Sequence, residues 1–531
     1  MPKNTPSTEN KRLKIILLTI YFCFILVLGR LFYWQIIKGH ELRDKAISQI
    51  YKLNTITPQQ GDVLSSDNYP LSLDYSYYSL SLYKPNFKYE LPKILQEIQE
   101  VEPKFATQNA VLLEKFNNPA QKWMEFVTKF TREQSQQLAT ISGLEFYPKQ
   151  ARLYPEKSLA LNIIRNLEQY YRRQISGQVG FSRSVIDGIG NSLLTRKNWK
   201  KNEFDGQDIH TTINRQIQLL SEKSLINGIE KYQADSASLI IIKPQTGEIL
   251  AMASAEATPS STSTTKVTNI SNLFEPGSIF KPIIMSAALD SGNLSPNFVC
   301  DKCQNSRQIG QYSINNWDDN FHPDSTLQDI IKNSDNIGMS YVIDQLGLKK
   351  FLEYYQLLRL DQKTGVELSG ESVSPQKTSW PDIDFATASF GQGIAVNQLQ
   401  MIQAFNTIAN NGELVKVHLN QQSPINKVKV FNQSTTALMT KILNYAVDNS
   451  PVSVLKPKDI NICAKSGTSQ VAVKGGYTDS STIGSYIGYY PCENPIFTMI
   501  VTIDNPKSSP WGSSTAAPIW FELAEKIEPL L

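Results

Sequence analysis

The sequence predicts an α+β protein: an N-terminal transmembrane helix, a mixed pedestal domain, and a larger domain whose antiparallel sheet has helices on both sides. Three observations carry this. An uncharged apolar run follows a basic cluster near the N-terminus. A polar stretch near residue 205 separates two textures, and in the second part strand patterns stand at both ends with helical patterns between them.

The basic cluster is Lys11, Arg12 and Lys14, and the run is IILLTIYFCFILVLG, extended past Arg30 by LFYWQII. About 20 apolar residues cross a bilayer as helix, and this run reaches that length if Arg30 snorkels. Basic residues before it, and Tyr33 and Trp34 after it, orient the N-terminus to the cytoplasm. The bulky GRLFYWQIIKGH offers no signal-peptidase pattern, so the segment reads as a retained anchor. The expected divisions are a cytoplasmic tail over 1–14, a membrane helix over 15–37, a pedestal over 38–205 and the larger domain over 206–531.

Within 38–205, alternating YSYYSLSLY predicts a strand, and TREQSQQLATI and IIRNLEQYYRR predict helices. Beyond the polar TRKNWKKNEFDGQD comes a helix over Asn214 to Tyr232, then two strands in SASLIIIKPQTGEILAMASA. A Ser/Thr-rich loop follows, and three strands near the far end precede a helix from Ala516. Composition excludes some functions. A chain of 531 residues with 41% hydrophobic and 19% charged residues folds, and a net charge of +3 without a basic domain argues against nucleic acid. Five cysteines do not make a disulfide scaffold; Cys300 and Cys303 form an isolated C-x-x-C that reads as a structural or incidental pair, with no metal and no cofactor expected.

The catalytic candidates are sorted by context. S-x-x-K occurs at Ser81, Ser263, Ser278, Ser374 and Ser453, so spacing alone decides nothing. Only Ser278, in FEPGSIFKPIIMSAAL, follows a Pro-Gly turn and precedes an apolar helical run, which puts Lys281 on the same face. A serine needs a base, and a lysine with a lowered pKa can be one. Pro282 requires the helix to begin almost at Ser278. Ser334-Asp335-Asn336 lies between two helical patterns, whereas Ser66-Asp67-Asn68 reads as a turn. Lys465-Ser466-Gly467-Thr468 lies in a strand that could pair with an extended peptide, whereas Lys363-Thr364-Gly365 reads as a surface turn.

The order S-x-x-K, S-x-N, K-S/T-G-T resembles that of penicillin-binding proteins. EPGSIFKP, NSDNIGM, TGVELSGE, ATASFGQGIAVNQLQMIQAFNTIANNGE and AKSGTSQ resemble blocks of the monofunctional class B members, most closely the division type; the resemblance covers most of the chain and is strong from about 206 to the end. The resemblance implies that Ser278 is the acylated nucleophile and Lys281 its base, with Ser334 and Asn336 relaying protons and holding the peptide. It implies that Lys465, Ser466 and Thr468, with Gly467 between them, bind the substrate carboxylate, and that the amides of Ser278 and Thr468 form the oxyanion hole. The implied reaction cross-links peptidoglycan stem peptides from lipid-linked precursors at D-Ala-D-Ala, and β-lactams trap the same serine. A membrane glycosyltransferase and other division proteins are the implied partners. Departures cluster in the pedestal: Gln60-Gly61 replaces Arg-Gly, SSDNY replaces the D-R-N-G turn, and Ser182 stands where glutamate is expected. An elongation or sporulation member, a serine β-lactamase, an idle division scaffold and a penicillin-sensing receptor are the competing readings.

Overall fold

The computed structural model describes the chain apart from residues 1–7, 109–113, 188–191, 196–197, 259–264, 458–459 and 474–475, so Ser263, half of the Ser/Thr-rich loop and half of the N-terminal tail lie outside the described residues. It divides into two compact units, Met1–Gln60 with Ser176–Gly206, and Gly61–Ile175 with Gln207–Leu531. The expected pedestal span thus contributes to both units.

In the first unit the predicted anchor is helix α1, Thr8–Phe32, continued by a π-helical turn over Tyr33–Ile37. Its apolar side chains, Ile16, Leu18, Phe22 and Phe24 among them, face outward along the whole segment. Such a surface is stable only in an apolar surrounding, and the length suits a bilayer. The unit continues with a helix over Gly39–Ile50 and a small sheet in which Tyr51–Ile56 pairs antiparallel with Gly180–Ile186. The Arg183 guanidinium lies over the rings of Tyr51 and Trp199.

The second unit begins with a sheet centred on Pro70–Tyr83, flanked by Trp123–Phe130 and Leu144–Leu153. The predicted helix after Thr131 is Arg132–Leu138, closed by a capping box between Thr131 and Gln134.

The catalytic part of this unit is built on strands β1 (Ser236–Ile242), β2 (Ile249–Glu256), β3 (Cys463–Val473), β4 (Gly476–Tyr490) and β5 (Phe497–Asp504). Their order in the sheet is β2-β1-β5-β4-β3, and every pairing is antiparallel. Helix α2, Arg215–Tyr232, starts at Asn214, whose side chain accepts from the amides of Gln216 and Ile217. With the C-terminal helix α5, Ala516–Ile527, it covers one face of the sheet, where Leu239 and Ile241 meet Ile217, Leu225 and Trp520. The opposite face buries Ile240 and Ile242 against Ile279, Ile283 and Met285, the last two on α3, Lys281–Asp290. Burial on both faces explains why β1 reads as the unbroken apolar run LIII rather than as an alternation. Two disulfides, Cys300–Cys303 and Cys463–Cys492, cross-link this part.

Candidate active site

Ser278 lies in a single 3₁₀ turn, Gly277–Phe280, which runs directly into α3 at Lys281. Pro282 therefore occupies the first turn of the α-helix, where a missing N–H costs nothing. The helix begins at the lysine, and the Lys281 amide donates to the Ser278 carbonyl one turn back.

Ser334 sits in the turn before α4, Asn336–Leu346, with a left-handed backbone, φ 54°. That conformation is uncommon for a residue other than glycine and fixes where the side chain leaves the turn. Asp335 caps α4 by accepting from the Gly338 amide at 2.7 Å. Asn336 presents its side-chain oxygen to Lys281 and donates through Nδ2 to the Asn315 carbonyl at 3.1 Å.

Lys281 is fully buried. Its Nζ donates to the Ser334 carbonyl at 2.5 Å, the Ser334 Oγ at 3.2 Å and the Asn336 Oδ1 at 2.8 Å. Lys465, on β3, is buried as well, and its Nζ donates to the same Ser334 Oγ at 3.0 Å and to the Ser466 carbonyl at 2.9 Å. Desolvation lowers both lysines, Lys465 to about 7. Lys281 falls well below the ordinary lysine value, through desolvation first and then repulsion from Lys465, with the Asp335 carboxylate opposing. Burial thus favours the neutral form of both amines, and repulsion from Lys465 adds to it at Lys281.

Strand β3 lies against the serine turn. A side chain at Gly467 would press on Ile279, and one at Gly277 would reach the Thr468 carbonyl. Ser466 and Thr468 are half-buried on the same strand. All eight candidates, Ser278, Lys281, Ser334, Asn336, Lys465, Ser466, Gly467 and Thr468, therefore come together in one region of the second unit. Among the described residues, no hydrogen bond joins Ser278 Oγ to Lys281 Nζ; the amine is turned to Ser334 and Asn336.

The look-alike motifs stay apart from this region. Ser81 is in a strand, Ser374 in irregular chain and Ser453 in the 3₁₀ turn Pro451–Leu455. Ser66 to Asn68 form a turn. Lys363-Thr364-Gly365 is not the surface turn expected, because Thr364 is buried and donates with both its amide and its hydroxyl to Glu371.

Residues without a motif complete the site. The Asn316 side-chain oxygen accepts from the amides of Asn336 and Ile337, holding the first turn of α4. Phe390 lies under the Lys281 ammonium, 6.0 Å from Nζ to the ring centroid. Gly391, at φ 76°, accepts through its carbonyl from the Gly277 amide at 3.1 Å, and a methyl there would overlap the Gly277 backbone. Glu275 accepts from the Gly393 amide at 3.1 Å, lacing the same glycine-rich segment to the turn before Ser278. The paired glycines of SFGQGIAV were the only sequence signal for this lacing.

Comparison with known proteins agrees with the geometry. Residues 237–525, more than half of the chain, match the family described as penicillin binding protein transpeptidase domain. Stage V sporulation protein D of Bacillus subtilis is 25% identical over 96% of this chain and 84% of its own length. The peptidoglycan D,D-transpeptidase FtsI homolog of Mesostigma viride is 27% identical, covering 94% of this chain and 93% of its own. The structure of penicillin binding protein 2X from Streptococcus thermophilus superposes with a TM-score of 0.73 at 20% identity, over 90% of this chain and 80% of that one. The chain belongs to the penicillin-binding protein transpeptidase family, as a class B penicillin-binding protein with a D,D-transpeptidase domain.

Proposed function

We propose that the protein is a membrane-anchored serine D,D-transpeptidase that cross-links peptidoglycan stem peptides through an acyl-enzyme on Ser278. The observation that carries this is the convergence of two desolvated lysines on Ser334 Oγ beside the Ser278 turn. Ser278 Oγ attacks the carbonyl of the penultimate D-Ala, and its proton passes to Lys281. The tetrahedral oxygen is held by the amides of Ser278 and Thr468. Collapse breaks the peptide bond, and the leaving D-Ala nitrogen takes a proton through Lys281 and Ser334. An amine of a neighbouring stem peptide then attacks the ester, its proton is removed by the same relay, and Ser278 recovers its hydroxyl hydrogen. Asn336 holds the peptide, and Lys465, Ser466 and Thr468, with Gly467 letting the strand lie close, hold the terminal carboxylate.

In this reading residues 38–205 serve as pedestal and 206–531 as transpeptidase domain, with α1 crossing the cell membrane and the N-terminus in the cytoplasm. Lipid-linked precursors and stem peptides are the substrates, β-lactams are inhibitors, and a membrane glycosyltransferase and other division proteins are partners. The division-type resemblance of the sequence blocks, with relatives named peptidoglycan D,D-transpeptidase FtsI, favours a septal role. The similarity to the stage V sporulation protein keeps a sporulation role as the nearest rival.

The test is to label the full-length protein in detergent with a fluorescent penicillin and compare Ser278→Ala. A lasting adduct that the variant lacks is expected. Labelling of the variant would remove Ser278 as nucleophile, and rapid release of the label from the parent would favour a β-lactamase.

A further inference from the structure

Strand β3 has a second neighbour with no part in the chemistry above, the segment from Ser508 to Thr515 between β5 and α5. Here the Gly512 amide donates to the Thr468 hydroxyl oxygen at 3.1 Å. A side chain at Gly512 would overlap the Gly467 carbonyl and the backbone of Ser485, so only glycine brings this amide so close. The preceding residue, Trp511, stands edge-on to Trp317, with ring centroids 5.1 Å apart at 64°. Trp317 is itself tied down, because its indole N–H donates to the Asn333 carbonyl at 3.0 Å, next to Ser334. Its neighbour Asn316 holds the start of α4. The two indoles, 55% and 40% exposed, thus join the chain leading to Ser334 with the chain lying on Thr468.

A hydroxyl has one proton and two lone pairs. Accepting from Gly512 occupies a lone pair of Thr468 and directs its proton away from that amide. We propose that Trp511 and Gly512 are positioning residues: locked by Trp317, they orient the Thr468 hydroxyl as a donor to the substrate carboxylate and so set selectivity for substrates that carry one. This rests on the reading of Thr468 as a carboxylate donor.

The experiment measures second-order acylation of the full-length protein in detergent by a penicillin with a free carboxylate and by its methyl ester. Thr468→Val should slow the acid about 10- to 100-fold and the ester much less, the range lost with a hydrogen bond to a charged group. Trp511→Ala and Trp317→Ala should each give the same pattern, and Trp511→Phe should restore most of the acid rate. In the Thr468→Val background, Trp511→Ala should add less than about twofold, because both changes remove one interaction. If Thr468→Val slows acid and ester equally, the carboxylate reading fails and this proposal with it. If Thr468→Val is selective but Trp511→Ala is not, or the two changes multiply, the positioning role alone is overturned. Should Trp511→Ala fail to fold, Trp317→Ala decides between the same outcomes.

Discussion

Lys281 and Lys465 donate to one atom, the Oγ of Ser334, at 3.2 and 3.0 Å. Two buried ammonium groups cannot share an acceptor comfortably while both are charged, so the site favours the state with one proton fewer. Burial lowers both amines, and at Lys281 repulsion from Lys465 adds to it while the Asp335 carboxylate opposes.

The lowered Lys465 predicts a pH dependence. Burial brings it down to about 7, so it is charged below that value and neutral above it, and in the proposed role its hold on a carboxylate should weaken as pH rises through 7. Second-order acylation by a penicillin, which reports free-enzyme groups, should fall on the alkaline side of about pH 7. Lys465→Arg stays charged throughout, so its profile should lose that alkaline limb even though its maximal rate is lower. A limb that persists in Lys465→Arg assigns it to another group.

Gly391→Ala should cripple acylation without touching a catalytic group. The added methyl would overlap the Gly277 backbone and displace the turn carrying Ser278. A shift of about 1 Å in a reacting group costs on the order of 100-fold. Penicillin labelling rates and unfolding temperatures of the two proteins check this; an unchanged labelling rate would show that the turn is not set by Gly391.

Asn316→Ala should strip the amides of Asn336 and Ile337 of their acceptor. Leaving buried donors unpaired costs about 1–3 kcal/mol, and the first turn of α4 would loosen where it faces Lys281. We expect a lower midpoint in denaturant unfolding together with slower acylation. Asn316→Asp keeps the acceptor and should recover much of both.

Removing the Cys463–Cys492 bridge should loosen the strand that carries Lys465. The bridge ties the first residue of β3 to the chain just beyond β4, 29 residues away. Loss of such a loop closure is worth about 2–4 kcal/mol. The double change Cys463→Ser with Cys492→Ser should therefore lower the unfolding temperature, measured against the same change at Cys300 and Cys303, whose loop closes over a separation of only 3 residues.

Much of the site was legible in the sequence because its chemistry is local. Ser278 and Lys281 share one turn, and Pro282 fixed where the α-helix could start, at Lys281. Ser334 and Asn336 stood out between two helical patterns, and Lys465 to Thr468 in a strand. Asn316, Glu275 and the Trp317–Trp511 contact were illegible because they act through irregular segments, where no periodicity tells which way a side chain points. The Thr364 environment was misread for a related reason: Lys363 and Gly365 look like a turn, but Glu371 six to eight residues away gives the buried threonine its partners. Two strand-rich ends and a helical middle were enough to place the sheet, yet not the order of its strands.

That order carries a consequence for how the enzyme comes into being. β5, the last strand to be synthesised, is the central one, hydrogen-bonded to β1 on one side and β4 on the other. Until residues up to Asp504 have been synthesised, no strand pairing joins the hairpin of β1 and β2 to the hairpin bearing Lys465. A chain terminated before β5 keeps Ser278, Lys281 and Ser334 in its sequence but lacks the strand that joins the two halves of the sheet. The five-stranded sheet is therefore complete only once its final strand slots into the middle.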